Sequence, residues 1–350
     1  MHANGNRGLF TEADYDDVRR FFESRPDLTP TPLVHLPAFA LTLGLADILV
    51  KDESTRFGLN AFKIAGVAYA IDRLLTRPRS ATIRTLVCAS EGNHGRAVAR
   101  VAHQHGLHVS VYMRRSAAHA RVNAIRAEGA EVVLVDGTYD DAVKQMVDAA
   151  RSAGTTIVSD TAWPGYEDIP RAIMAGYTWI MTEAARQWTP DPPGIVVVQA
   201  GVGGLAAAVA SWLRARMRPR PLFLCAEPRG AACVHASIAA GARAAVVPED
   251  TIMNGLRCGE VSSLALPVLA ATVDACVQID DDAAIAAMAQ LKSGRGGDAS
   301  VEAGASGAAG LAALTVWCRQ RPIAPGSRAF VINTEGVTDP ARYTETETAL

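Results

Sequence analysis

The sequence predicts an α/β protein with two open, mostly parallel sheets that are covered by helices on both faces. Short runs rich in Val, Ile and Leu alternate with Ala-rich helical stretches along most of the chain. Right-handed crossovers wind such strand–helix–strand units into a parallel sheet. The chain has 350 residues and 49% hydrophobic content, so it is long enough to form two domains, each with its own core.

The first half of the chain contains four β-type runs separated by three helical stretches. In chain order, these seven segments are "ADILVKD", "KIAGVAYAIDRLL", "TIRTLVCAS", "GRAVARVAHQHG", "HVSVYM", "AHARVNAIRAEG" and "AEVVLVDG". The alternation resumes in the second half with "DAVKQMVDAARSAG", "TTIVSD", "GIVVVQAGVGGLAAAVASWLRAR", "PLFLCAEP" and "SRAFVINTEG". The Gly- and Ala-rich "SGRGGDASVEAGASGAAG" is interpreted as a loop that enters a helix.

The domain division is predicted from the Pro- and Gly-containing stretch "DTAWPGYEDIP", where the chain returns from a smaller to a larger domain. The large domain is predicted to comprise residues 1–65 and 160–350. A smaller, mobile domain comprises residues 66–159.

Composition favours small-molecule chemistry in the cytoplasm. The 34 Lys and Arg nearly balance the 36 Asp and Glu, which gives no reason to expect nucleic acid or an anionic membrane as a partner. No apolar signal-peptide core or membrane-spanning run is present, and the six scattered cysteines form no C-x-x-C pair. Such thiols are typical of a reducing compartment. His103, His105 and His108 straddle a predicted helix end, so we expect surface histidines and no metal site.

A lysine within the apolar stretch "RFGLNAFKIAG" is a candidate nucleophile. A buried amine loses hydration as a cation, so burial is expected to lower the pKa of Lys63 and to favour its neutral form. Such an amine can form a Schiff base. The segment alone also fits a lysine that extends from an amphipathic helix to solvent.

Polar or glycine-rich loops follow three of the predicted strands, where ligands of open α/β sheets collect. After "TLVCA", the loop "SEGNHG" places Ser90, Asn93 and His94 at a helix start that can hold a carboxylate. After "IVVVQA", the loop "GVGGL" is suited to a phosphate. A dinucleotide, with Glu227 on its ribose, is the alternative for that loop. Thr334 ends the last strand and offers a hydroxyl.

An amine, an anion-binding helix start, a phosphate loop and a hydroxyl are together what pyridoxal phosphate requires. The amine forms the imine, backbone N–H groups hold the phosphate, and a polar side chain faces the ring nitrogen. We therefore expect pyridoxal 5'-phosphate as cofactor, bound by the large domain.

Five strings are spread over nearly the whole chain: "TPLVHLPAFALTLGLADILVKDESTRFGLNAFKIAG", "SEGNHGRAVA", "SDTAWPGYEDIP", "TIMNGLRCGE" and "NTEGVTDP". They resemble the tryptophan synthase β-like group of pyridoxal-phosphate enzymes. Within that group, the chain is most similar to the diaminopropionate ammonia-lyases. The two-lobed fold of this group and a homodimer are what the resemblance implies.

The resemblance also implies a role for each matching residue. Lys63 carries the cofactor and Phe62 flanks its ring, while Asn93 binds its phenolic oxygen and Thr334 faces its pyridine nitrogen. Ser90, Asn93 and His94 hold the substrate. The phosphate loop consists of Gly201, Val202, Gly203, Gly204 and Leu205.

Two acids are implied as catalytic partners of Lys63. Asp160 matches an aspartate that these lyases keep close to the substrate, whereas Glu91 stands where they usually carry another aspartate. Two acids on opposite sides of the substrate can serve either enantiomer or protonate the leaving amine. The extra methylene of Glu91 moves its carboxylate by more than a bond length, a displacement large enough to change rates.

The predicted activity is α,β-elimination of 2,3-diaminopropionate, or of a close β-substituted amino acid, to pyruvate and ammonia. The protein would then be a pyridoxal-phosphate-dependent carbon–nitrogen lyase. A β-substitution synthase or a serine/threonine dehydratase is the alternative within this class. A non-catalytic nucleotide-binding protein is the alternative from another class.

Overall fold

Two sheets organise the chain in the computed structural model, which describes residues 8–77, 82–188, 190–338, 340 and 343. The six-stranded sheet has the order β1-β2-β10-β7-β8-β9, and only its edge strand β1 runs antiparallel to its neighbour. Its strands are β1 (Leu33–His35), β2 (Asp47–Asp52), β7 (Ile195–Gln199), β8 (Leu222–Pro228), β9 (Ala275–Ile279) and β10 (Arg328–Asn333).

The second sheet has four strands in the order β5-β4-β3-β6, and all its neighbours are parallel. Its strands are β3 (Thr85–Ala89), β4 (His108–Arg114), β5 (Glu131–Val135) and β6 (Thr155–Ile157). All four lie within the range predicted for the smaller domain. The domain boundaries themselves stay a prediction.

Helices connect the strands as crossovers. Long apolar helices such as α7 and α12 are buried along much of their length, because they pack between other elements. Within the described residues, the α-helices are α1 (Glu12–Glu23), α2 (Pro37–Thr42), α3 (Lys63–Leu75), α4 (Asn93–Gln104), α5 (His119–Ala127), α6 (Tyr139–Ala149), α7 (Asp168–Gln187), α8 (Gly204–Arg216), α9 (Cys233–Ala240), α10 (Ala265–Ala270), α11 (Asp281–Ser293) and α12 (Ala305–Gln320).

The predicted fold class is confirmed, since both sheets are mostly parallel and are linked by helices. The Gly- and Ala-rich segment is a loop that enters a helix, as predicted, with α12 beginning at Ala305. Among the residues that the structure describes, none of the helices combines the length and apolar character that a membrane span needs.

A fully buried ionic network fixes the segment between β2 and α3. The guanidinium of Arg56 donates to both oxygens of Glu53, at 2.6 Å each, and to both oxygens of Glu183, at 2.8 and 2.7 Å. Lys51 adds a second cation, 3.0 Å from Glu183. Arg56, Glu53 and Lys51 are all 0% exposed. Because Glu183 lies on α7, the network ties that helix to the chain just before α3.

We predict that Arg56→Met destabilises the protein by about 3–5 kcal/mol, because it leaves two buried carboxylates facing a single cation. Urea unfolding of the two proteins checks this. Arg19→Met removes an exposed helix-surface arginine and serves as the control, with no change in the midpoint expected. An Arg56→Met midpoint equal to that of the unsubstituted protein would contradict a stabilising role for the network.

Candidate active site

The candidate site lies where the strands of both sheets end. In the smaller sheet, the "SEGNHG" loop follows β3 and Asp160 follows β6. In the larger sheet, the chain after β2 leads to Lys63, the glycine loop follows β7, and Thr334 follows β10. In parallel sheets, the carboxyl ends of neighbouring strands share one edge, so residues far apart in sequence meet there.

Lys63 is the first residue of α3, and its amine contacts Asp160 from the loop after β6. Nζ of Lys63 donates to Oδ2 of Asp160 over 2.5 Å. The two side chains are 21% and 19% exposed, respectively, so the pair is largely shielded from water. The structure therefore brings together two of the three residues that the sequence predicted as catalytic.

The pKa of Lys63 contradicts the expectation drawn from its sequence environment. Burial acts to lower the pKa of Lys63, but the Asp160 carboxylate outweighs burial and holds the pKa well above its usual range. Burial likewise acts to raise the pKa of Asp160, and Lys63 holds it well below its usual range. In this arrangement the contact with Asp160 favours the ammonium form of Lys63, which is opposite to the direction expected from burial alone.

His94 lies beside this pair and is only 6% exposed. Its Nε2 is 2.8 Å from the carbonyl oxygen of Val158, and a carbonyl only accepts, so Nε2 carries the hydrogen. Burial lowers the pKa of His94, although Asp160 opposes this effect. The imidazole is therefore neutral, and the lone pair of Nδ1 stands 3.9 Å from Oδ2 of Asp160. Nδ1 has no hydrogen-bond partner within the described part of the chain.

Ser90 closes the predicted carboxylate-binding loop. Its hydroxyl oxygen accepts from the backbone N–H of Gly92 at 3.0 Å and of Gly95 at 2.9 Å. The hydroxyl hydrogen of Ser90 is then the part of this side chain that can reach a substrate. Asn93, the first residue of α4, donates through Nδ2 to Oε2 of Glu335.

Glu91 points to a neighbouring strand end of the smaller sheet. Its two carboxylate oxygens accept from Nε and Nη2 of Arg114, at 2.9 and 2.8 Å. Arg114 is the last residue of β4, next to β3 in the sheet. The guanidinium thus holds Glu91 by a bidentate ion pair that the sequence reading did not foresee.

The glycine loop fits a phosphate at the start of α8. Gly203 adopts a left-handed conformation, with φ of +87°, and no side chain caps the helix. The first N–H groups of α8 therefore point out of the helix, where they suit an anion. A Cβ at Gly201 would lie 2.9 Å from Sγ of Cys258, so only glycine fits this loop without displacing a neighbour. Residues Gly201, Val202, Gly203, Gly204 and Leu205 are thus arranged as a phosphate cradle requires.

Two predicted cofactor-binding residues come from different segments: Thr334 follows β10, and Phe62 directly precedes Lys63. The hydroxyl of Thr334 accepts from Nε2 of Gln199 at 3.0 Å and is held at the carboxyl edge of the larger sheet. The ring of Phe62 lies 4.8 Å from the ring of Tyr177, and its centroid is 5.1 Å from Nζ of Lys63. The ring of Phe62 thus lies beside the lysine, and the carbonyl of Thr334 accepts from the N–H of Phe62 at 3.0 Å. Their roles towards the cofactor stay predictions.

Sequence reasoning missed three residues of this site. Glu335 follows the predicted Thr334 directly, so its place in the string "NTEG" was an available signal. Tyr177, from α7, is buried, and its hydroxyl has no partner among the described residues. Although Tyr139 is 42% exposed, its hydroxyl points inwards and donates to the carbonyl of Ala89 at 3.2 Å. Burial and the Asp160 carboxylate raise the pKa of this phenol.

The other candidate groups fall outside the site. His103, His105 and His108 are exposed, and no cluster of three or more metal-ligating side chains occurs within the described ranges. Glu227 accepts from the backbone N–H of Val234 at 2.7 Å and of His235 at 2.8 Å. Its carboxylate is 0% exposed, so it is not placed to bind a ribose.

Comparison with known proteins identifies the class. The family described as "Pyridoxal-phosphate dependent enzyme" matches residues 25–335. The chain belongs to this family, which confirms the predicted cofactor class. The uncapped start of α8, the glycine cradle and Lys63 fit this cofactor.

Curated relatives narrow the family further. The chain is 36% identical to diaminopropionate ammonia-lyase of Escherichia coli strain K12, over 96% of this chain and 92% of that protein. It is 34% identical to the diaminopropionate ammonia-lyase of Salmonella typhimurium strain LT2, over 97% and 91%, respectively. The L-threonine dehydratase of Mycobacterium leprae is 29% identical over 91% of this chain. Within the pyridoxal-phosphate enzymes, the chain belongs to the diaminopropionate ammonia-lyase family, as its sequence strings predicted.

Solved structures agree with this assignment. The crystal structure of the Escherichia coli diaminopropionate ammonia-lyase in complex with an aminoacrylate–PLP azomethine reaction intermediate superposes with a TM-score of 0.90 and 35% identity. The match covers 98% of this chain and 94% of that one. Threonine deaminase isoform 2 of Solanum lycopersicum, at 21% identity and a TM-score of 0.82, shares the fold.

We predict that Asp160→Asn lowers the pKa of Lys63, because the carboxylate that favours the ammonium is lost while burial, which disfavours it, remains. Only the neutral amine attacks an aldehyde. The rate at which the cofactor-free protein captures pyridoxal phosphate should therefore reach its plateau at a lower pH in the variant. Stopped-flow absorbance across pH measures this rate.

Asp140→Asn, which alters an exposed acid on α6, is the control and should leave the profile unchanged. A profile for Asp160→Asn that moves to higher pH would contradict the assigned role of Asp160.

Proposed function

We propose that this chain is a pyridoxal-phosphate-dependent carbon–nitrogen lyase. It eliminates the β-amino group of 2,3-diaminopropionate, or the β-substituent of a close analogue, and water then hydrolyses the released imine to pyruvate and ammonia. The observation that carries the proposal is the Lys63–Asp160 contact of 2.5 Å at the edge where the strands of both sheets end. The relatives support it, since two named diaminopropionate ammonia-lyases align with nearly the whole chain.

The cofactor is held by groups from four strand ends. The phosphate binds to the N–H groups at the start of α8, where Gly201 to Leu205 leave room. Phe62 flanks the ring, Asn93 faces its oxygen and Thr334 faces its nitrogen. When bound, the cofactor supplies an aldehyde for the amine of Lys63 and a ring that withdraws electron density from the substrate α-carbon.

The substrate carboxylate binds at the start of α4. The N-cap residue Gly92 has no side chain to cap this helix, and Ser90 occupies only the N–H of Gly95 in its first turn. The remaining first N–H groups and the helix dipole favour an anion. The hydroxyl hydrogen of Ser90 and the backbone N–H of Asn93 complete this pocket. His94 was predicted to hold substrate as well, but its Nε2 is already committed to the carbonyl of Val158. We therefore do not include His94 in the substrate pocket.

Lys63 and Asp160 handle the proton. The Lys63 amine can take the proton from the α-carbon, and its contact with Oδ2 lets the Asp160 carboxylate hold the resulting ammonium in place. Because the pKa of Lys63 lies well above that of Asp160, the proton stays on Nζ and is available for the leaving amine. Glu91 stays a proposed second acid, with both of its oxygens already bound to Arg114.

A dehydratase is the second candidate, favoured by the 29% identity to an L-threonine dehydratase. A β-substitution synthase would use the same lysine and phosphate cradle. The nucleotide-binding alternative loses its ribose partner, because both oxygens of Glu227 accept backbone hydrogen bonds.

The setting of the enzyme is also proposed. We propose a cytoplasmic homodimer, because all six cysteines are free thiols in the structure and because the family resemblance implies a dimer. Small amino acids are the expected partners, with neither nucleic acid nor membrane involved.

We expect the purified, cofactor-loaded protein to release pyruvate from 2,3-diaminopropionate faster than from serine. Each enantiomer of both compounds is tested separately, and a coupled lactate dehydrogenase assay measures the pyruvate. The ratio between the diaminopropionate enantiomers reports whether Glu91 works as an acid despite its ion pair.

Faster release from serine would favour the dehydratase. Absence of pyruvate from all four compounds, with cofactor bound, would contradict the lyase proposal and favour the synthase. Lys63→Ala is the control for pyruvate that arises without the enzyme's own chemistry.

A further inference from the structure

Glu335 is a buried carboxylate at the candidate site, and none of the roles assigned above applies to it. It follows Thr334 at the end of β10, in the larger sheet, and is 7% exposed. Its Oε2 accepts a hydrogen bond from Nδ2 of Asn93, which begins α4 at the smaller sheet. The contact thus joins the two sheets across 242 residues of sequence.

The backbone holds Glu335 in a fixed position relative to Lys63. Ala61 and Glu335 form an antiparallel bridge, and the N–H of Phe62 donates to the carbonyl of Thr334 at 3.0 Å. The N–H of Gly336 donates to the carbonyl of Asn60 at 3.0 Å. The strand end that carries Glu335 is therefore paired with the three residues just before Lys63.

Glycines line the carboxylate of Glu335 on its other sides. A Cβ at Gly304 would lie 3.1 Å from Oε1, and one at Gly255 would lie 3.9 Å from Oε2. The side chain consequently has little freedom, and its oxygens stay beside Asn93.

Charge balance does not explain the burial of Glu335. The other two acids of the site are ion-paired, since Asp160 contacts Lys63 and Glu91 contacts Arg114. Glu335 instead meets a neutral amide. Within the described part of the chain, this buried carboxylate contacts an amide and no lysine or arginine, which indicates that the orientation of the amide matters.

The chemistry of the two groups fixes this orientation. An ionised carboxylate only accepts, so the amide of Asn93 must present its nitrogen to Glu335 and its oxygen elsewhere. One N–H of Nδ2 is used, and the second remains free to donate to a ligand. An amide without such a partner can rotate by half a turn and exchange its nitrogen for its oxygen.

We propose that Glu335 is a positioning residue that fixes the Asn93 amide so that its second N–H donates to the ring oxygen of pyridoxal phosphate. The inference rests on the proposed function for the identity of the cofactor. Without Glu335, the Asn93 amide can turn its carbonyl oxygen towards the anionic ring oxygen, which it repels. The hydrogen bond that stabilises this oxygen is then lost.

The test measures cofactor binding and its absorbance. Cofactor-free protein is titrated with pyridoxal phosphate, and the dissociation constant and the long-wavelength absorbance band are recorded for Glu335→Ala, Asn93→Ala and the double variant. We expect each single variant to bind the cofactor about tenfold more weakly and to shift the band in the same direction. The double variant should match Asn93→Ala, because Glu335 acts through Asn93.

Two further variants separate positioning from folding. Glu335→Gln keeps the size of the side chain and a carbonyl acceptor, so we expect a smaller effect than that of Glu335→Ala. Glu260→Ala removes an exposed acid paired with Arg243 and should change neither quantity. If Glu335→Ala is insoluble, Glu335→Gln takes its place, both alone and combined with Asn93→Ala.

Independent, additive losses in the double variant would overturn the proposal, as would an unchanged absorbance band in the Glu335 variants. The readout does not depend on turnover. If the unsubstituted protein binds the cofactor but releases no pyruvate, the lyase proposal fails while the role of Glu335 is still decided by the spectra.

Discussion

The Lys63–Asp160 ion pair is the interaction on which the rest of the site depends. Lys63 is the first residue of α3, and the helix has no acidic residue in its first turn. A cation at a helix N-terminus opposes the helix dipole, and burial adds a second penalty. Asp160 offsets both at a distance of 2.5 Å. The loop after β6 must therefore lie against α3, which holds the smaller sheet to the segment that carries the lysine.

The buried Arg56 network and the strand pairing of Glu335 constrain the same lysine from two other directions. Arg56 anchors the chain before α3 to α7 through Glu183, and the bridge between Ala61 and Glu335 anchors it to the end of β10. These contacts come from four separate stretches of sequence. Together they hold one amine at the point where the glycine cradle, the "SEGNHG" loop and Thr334 converge. Proton transfer depends on such fixed positions, because a small displacement of the reacting groups lowers the rate strongly.

Local patterns in the sequence predicted much of the fold and less of the electrostatics. The helical stretch "KIAGVAYAIDRLL" coincides with α3, and the run "HVSVYM" lies within β4, because local periodicity and composition determine such elements. Helix α7 is buried along most of its length, and β1 and β9 are edge strands of the larger sheet. The raised pKa of Lys63 depends on an aspartate 97 residues away, and the Glu91–Arg114 and Asn93–Glu335 pairs also join separate loops. Contacts of this kind are set by topology, which local patterns do not contain.

The central claim is that Lys63 alone carries the cofactor. Its most direct test is reduction of the cofactor-loaded protein with borohydride, followed by proteolysis and mass spectrometry of the pyridoxyl-labelled peptides. The account predicts a single labelled peptide that contains Lys63, and no label on the buried Lys51 despite its position at the end of β2. A label on another lysine, or no covalent label at all, would contradict the account.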